Sequence, residues 1–96
     1  MIIPQKFRIG TKRYKIEMHE SHPRRYGSLI PEGQRILLYR VTGGKPNNDE
    51  RMSDTFWHEV THAILWEMDD PRWKDEVFVK AFSKRLNQVC LTAEVA

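Results

Sequence analysis

The chain has 96 residues, a formal net charge of +3 and a single cysteine, Cys90. That length allows one domain, residues 1–96, with one modest core, and the balance of 40% apolar to 30% charged residues excludes a disordered polymer. An internal disulfide is excluded by the cysteine count, and no run approaches the roughly eighteen apolar residues of a transmembrane helix. The start, MIIPQKFRIG, is too short in its apolar patch for a signal peptide, so a cytoplasmic location with no membrane partner is expected.

In chain order, KFRIG and RYKIEMH alternate with period two, placing Phe7, Ile9, Tyr14, Ile16 and Met18 on one face. Gly10-Thr11-Lys12 between them suits a hairpin. HESHPRRYGS, with its proline, is expected to be a loop, and Pro31-Glu32-Gly33 a turn leading into a strand, RILLYRV. TGGKPNNDE is dense in turn formers and serves as a connection. Asn48 or Asp49 suits a helix N-cap, and the helical pattern runs from about Glu50 to Met68. Met52, Phe56, Val60, Ala63 and Ile64 lie opposite His58, so this helix should be central and largely buried. Asp69-Asp70-Pro71 ends it. A second helix is expected from about Arg72 to Leu91, with Phe78, Phe82, Leu86 and Val89 as its core stripe and with Trp57, Trp66 and Trp73 packing the helices together. The predicted fold is α+β: a small twisted, mainly antiparallel sheet of three to four strands followed by two helices.

Charge is uneven along the chain. Residues 1–48 hold ten Lys/Arg and three acids, whereas residues 49–96 hold six and ten. Arg24, Arg25, Arg35 and Arg40 could meet an acidic partner or nucleic acid. The aromatic interleaving of a nucleic-acid platform is lacking, which favours a solvated basic sheet.

The chemistry concentrates in HEVTH. His58 and His62, four residues apart, project from one helix face about one turn apart, so both imidazoles reach one ion at Zn–N distances of about 2.0–2.1 Å. Glu59 lies about 100° round the helix. It is placed to act as general base towards water on such an ion rather than as a ligand. Two histidines and a carboxylate on a buried helix are costly unless a metal or hydrogen bonds compensate them. A catalytic zinc takes three protein ligands and a water. No histidine follows His62, and Asp69 and Glu67 point elsewhere. An antiparallel second helix would return Asp75 and Glu76 towards the histidines; Glu76 is favoured by its place at the margin of the apolar stripe, with Asp75 as the alternative.

HEVTH followed by the Asp75-Glu76 pair in DEVFV resembles the gluzincin pattern, HExxH with a downstream glutamate. Nearly the whole chain is similar in layout to the minimal gluzincins, small single-domain prokaryotic and phage-type zincin-like proteins. The resemblance implies a zinc metallopeptidase in which His58, His62 and Glu76 bind Zn2+ and Glu59 is catalytic, activating water for attack on a peptide carbonyl. It also implies a peptide or protein substrate lying extended on the sheet's edge strand, for which RILLYRV is the expected segment, and an oxyanion-stabilising residue for which Tyr26 and Tyr39 are open choices. A tail such as CLTAEVA folded over the cleft would make the domain latent, and a catalytically silent zinc protein gripping a partner or nucleic acid is the alternative function. HEVTHAILW also resembles the HExxHxxxW signature of SprT-like proteases, but the downstream histidine of that family is missing here.

Overall fold

Alternating apolar residues in the first half of the chain build a mixed five-stranded sheet, and the more continuous helical patterns of the second half form two helices, the first of which packs against it. Residues 2–94 are described in the structure, a computed structural model. The strands are β1 (Lys6–Ile9), β2 (Lys12–His22), β3 (Gly27–Ile30), β4 (Arg35–Thr42) and β5 (Lys45–Pro46); α1 (Asp49–Glu67), a 3-10 turn (Pro71–Lys74) and α2 (Glu76–Thr92) follow. The class is α+β, as the sequence predicts. No helix among the described residues is long and apolar enough to cross a membrane.

Strand order is β1-β2-β4-β3, with the short β5 also on β4. Three of the four pairings are antiparallel, and β2 runs parallel to β4 in the register Ile16↔Ile36, Met18↔Leu38. The expectation of three to four strands is therefore corrected to five. The hairpins form where the turn chemistry allows: Gly10 takes φ +60 as the first loop residue between β1 and β2, and Gln34 accepts φ 52 in the turn after Pro31.

Three further expectations are corrected. HESH is not loop but the end of β2, which runs to His22 before Pro23 stops it. RILLYRV is not an edge strand: β4 is flanked on both sides, and its run Ile36–Tyr39 is buried throughout. The edges are β1 and β3. Finally, α2 begins at Glu76 rather than Arg72, because Pro71–Lys74 winds as a separate 3-10 turn. Its buried residues are Val79, Ser83 and Asn87, while Phe82 and Val89 of the expected stripe are exposed. The reason is polar: Ser53 on α1 donates its hydroxyl to the Asn87 amide oxygen at 2.7 Å, so two buried polar groups satisfy each other between the helices.

The core lies between the sheet and α1, where Ile16, Ile36, Leu38, Phe56 and Val60 pack together with Phe7, Leu29, Met52, Trp57 and Ile64 around them. Each fully buried aliphatic side chain there contributes about 1.5–3 kcal/mol. The buried Tyr14 donates its hydroxyl to Glu67, tying β2 to the last turn of α1; burial first, and Glu67 second, hold this phenol above its usual range. Helix α2 packs on α1 and the 3-10 turn, and so forms a third layer.

Candidate metal centre

The ends of α1 decide where its histidines stand. Asn48 caps the first turn, its side chain accepting from Arg51 N–H at 2.8 Å, with Asp49 and Glu50 in the turn that favours acids. At the other end the Asp70 N–H reaches the Leu65 carbonyl and the Asp69 N–H reaches that of Trp66, with Asp69 at φ 53. This is a Schellman closure, and it turns the chain sharply. Asp70 then caps the 3-10 turn, accepting from Arg72 N–H at 2.9 Å and pairing with the Arg72 guanidinium, which holds the Asp70 carboxyl down at about 2. Trp73 stacks edge-on to Trp66, with ring centroids 4.8 Å apart. That contact brings the Trp73 carbonyl to the histidine face of α1.

The ligand-type atoms converge there. Glu76 Oε1 lies 2.9 Å from His62 Nε2, Glu76 Oε2 3.1 Å from His58 Nε2, and the two Nε2 atoms are 3.2 Å apart. Ligands at Zn–N distances of about 2.0–2.1 Å on a tetrahedron stand about 3.3 Å from one another, so the triangle is close to the size that such an ion needs. The protonation pattern agrees. His62 Nδ1 meets the Trp73 carbonyl, which only accepts, so Nδ1 donates there and Nε2 is the ring atom left to face Glu76. An imidazole nitrogen and a carboxylate oxygen this close are stable only with a proton or cation between them. Burial, followed by His62, depresses the His58 pKa, which keeps that ring in its neutral, ligating form. His58, His62 and Glu76 thus form a group able to hold a metal ion.

Asp75 stands outside this group. Its carboxylate accepts from Phe78 N–H at 3.0 Å as the N-cap of α2. Glu76 sits in the first turn of the same helix, where its charge is favoured. Capping thus separates the favoured Glu76 from its alternative: the Asp75 carboxylate is used by the helix, and that of Glu76 faces the histidines.

Glu59 is buried to 8% exposure beside the cluster, and its carboxyl takes no hydrogen bond from a described residue. Burial, then the nearby Glu76, raise its pKa to about 7. A carboxylate poised there exchanges protons readily near neutral pH. It lines a cavity of about 550 Å3 together with His58, His62, Glu76, Tyr26 and the backbone of β3. Of the two tyrosines, Tyr26 lines this space, whereas Tyr39 is buried in β4 with its ring against His19 and His22.

Edge strand β3 reaches the site because Gly27 has no side chain. A Cβ at Gly27 would lie 2.7 Å from Thr55 Cγ2 and 2.9 Å from the Leu37 carbonyl oxygen. Gly27→Ala is expected to cost about 1–3 kcal/mol, seen as a lowered melting temperature, and Thr55→Ser in the same chain should recover part of it; an unchanged melting temperature would contradict the close approach.

Sequence reasoning missed the Trp73 carbonyl, having given Trp73 a packing role only. Asp70-Pro71 was the available signal, since an Asp before a Pro starts a turn as well as ending a helix. The tail expected over the cleft is helical through Thr92; Leu91 and Thr92 line the far end of the groove, and Val95 and Ala96 lie outside the described residues. Comparison with protein-family models, with curated proteins and with solved structures returns no significant match, so the reading of this centre rests on its own geometry.

Proposed function

We propose that the chain is a zinc-dependent peptidase of gluzincin type. The observation that carries this reading is the triangle of His58, His62 and Glu76, the His62 ring oriented by the Trp73 carbonyl, with a buried Glu59 beside it in an open cleft. His58, His62 and Glu76 would hold the ion, which supplies Lewis acidity and lowers the pKa of water. Glu59 then takes a proton from the attacking water and passes it to the leaving amine. A substrate chain would pair with β3, whose outer side has no strand neighbour among the described residues, through main-chain hydrogen bonds. Tyr26, on the cleft wall, is the nearer choice for stabilising the oxyanion.

Metal analysis joined to a cleavage assay tests the proposal. Purified protein should bind one zinc per chain and cut members of a mixed peptide library, a chelator should stop cleavage, and added zinc should restore it. One zinc per chain with no cleavage, both in the full chain and after removal of residues 93–96, would instead favour a zinc-containing binding protein.

A further inference from the structure

The cavity at the metal centre continues into a second of about 810 Å3 between the start of α1 and the end of α2, and both share Tyr26, Arg51, Asp54, His58 and Lys80. Together they form one groove with the histidines near its middle. Its walls are cationic. Arg24 and Arg25 stand before β3, Arg51 on α1, Lys45 on β5, and Lys80 and Lys84 on α2. All six are exposed, and none is within ion-pair distance of an acid among the described residues. Elsewhere Arg35 pairs with Glu17, Arg40 approaches Glu20 and Arg72 pairs with Asp70, while Lys6, Arg8, Lys12, Arg13, Lys15, Lys74 and Arg85 likewise stand in no ion pair among the described residues, so what sets the six apart is their convergence on one groove.

Three features make these charges more than a solvated surface. Arg51 is fixed by stacking, its guanidinium carbon 4.3 Å above the Tyr26 ring, which positions the group without neutralising it. Lys80 and Lys84 follow Glu76 at helical spacing on the groove side of α2, a like-charge pair that costs the isolated helix stability. Beyond Glu59 and Glu76, only Glu50 and Asp54 bring negative charge to the groove. A cleft whose walls carry an excess of one charge, here six cationic side chains against four acidic ones, concentrates ligands of the other sign. From these observations we infer that the groove takes an extended acidic peptide, with Asp or Glu side chains on both sides of the residue that sits at the metal centre. This rests on the peptidase reading for its consequence, cleavage within acidic segments, but not for binding.

Zinc-loaded Glu59→Gln protein and fluorescent peptides of equal length test it, one acidic, one with Asn and Gln in place of the acids, one basic, together with a single-stranded oligonucleotide. The acidic peptide should bind roughly tenfold or more tightly than its neutral counterpart, with the advantage shrinking as salt rises. Lys80→Glu with Lys84→Glu, and separately Arg51→Glu, should erase that advantage at unchanged zinc content. Equal affinities for the three peptides, or an oligonucleotide bound more tightly than the acidic peptide, would overturn the inference. If the wild-type chain binds the acidic peptide without cutting it, the peptidase reading falls and the groove assignment stands. If it cuts neutral and basic peptides as fast as acidic ones, the assignment falls and the peptidase stands.

Discussion

Replacing Glu59 with Gln is expected to lower peptide cleavage by roughly a hundred- to ten-thousand-fold, leave zinc content intact, and make the metal-free protein more stable above neutral pH. The last effect follows from where the carboxyl lies. It is buried, and its folded pKa of about 7 stands above the unfolded value of 4.5. A carboxyl raised in this way favours folding while it is protonated: the contribution is complete below about pH 4.5, falls as pH rises, and is lost once pH passes the folded value. Gln is neutral throughout and escapes that loss. The gap between the folded and unfolded pKa values corresponds to a gain for the variant on the order of 3 kcal/mol over wild type at pH 8, in the metal-free state. In a chain of this size that is on the order of ten degrees in melting temperature. Melting curves of both proteins in chelator, at pH 4 and pH 8, check it; a difference that fails to grow with pH would mean that Glu59 is hydrated in the folded protein. Added zinc should shrink the difference, because the cation offsets the buried charge.

The second large effect separates the two neighbouring acids at the start of α2. Glu76→Ala removes one of three ligand groups and should weaken zinc binding by roughly a hundredfold or more. Asp75→Ala should keep the zinc but lose the cap on Phe78 N–H, costing about 1 kcal/mol of stability. Zinc competition against a coloured chelator reads the first change, and melting temperature without metal reads the second. At free zinc about a hundred times the dissociation constant, wild type and Asp75→Ala should both gain about 2.7 kcal/mol from the ion; Glu76→Ala should gain little. Loss of zinc from Asp75→Ala, with retention by Glu76→Ala, would reverse the assignment.

Much of the candidate metal centre was legible because its residues are close in sequence and on helices. Two histidines four apart share a face wherever the helix runs, and Asn48 and Pro71 marked its limits to within a residue or two. Glu76 was favoured over Asp75 by its place at the margin of the apolar stripe, but the capping that engages Asp75 at the α2 N-terminus was not legible. Strand order was out of reach for a related reason. The alternation in RYKIEMH tells which side chains face the core, and the apolar run in RILLYRV that this strand is buried, but not that the two strands run parallel with β3 placed outside them. The α2 stripe misled because burial was equated with apolarity, whereas Ser53 and Asn87 bury each other through one hydrogen bond. Of the four arginines that stood out in the basic half, Arg35 and Arg40 have acidic neighbours on the sheet, and Arg24 and Arg25 look into the groove.

The two edges of the sheet are defended unequally. β1 carries Lys6 and Arg8, charges that discourage another strand from adding to it. β3, Gly27-Ser28-Leu29-Ile30, has no charge, no proline and no bulge. An edge of that kind invites self-pairing, and here only its four-residue length and the adjacent Arg24 and Arg25 limit the hazard. The guest peptide proposed for β3 and a second copy of the chain would compete for the same row of main-chain groups, so an edge receptive to the first would also leave concentrated protein prone to edge-to-edge aggregation.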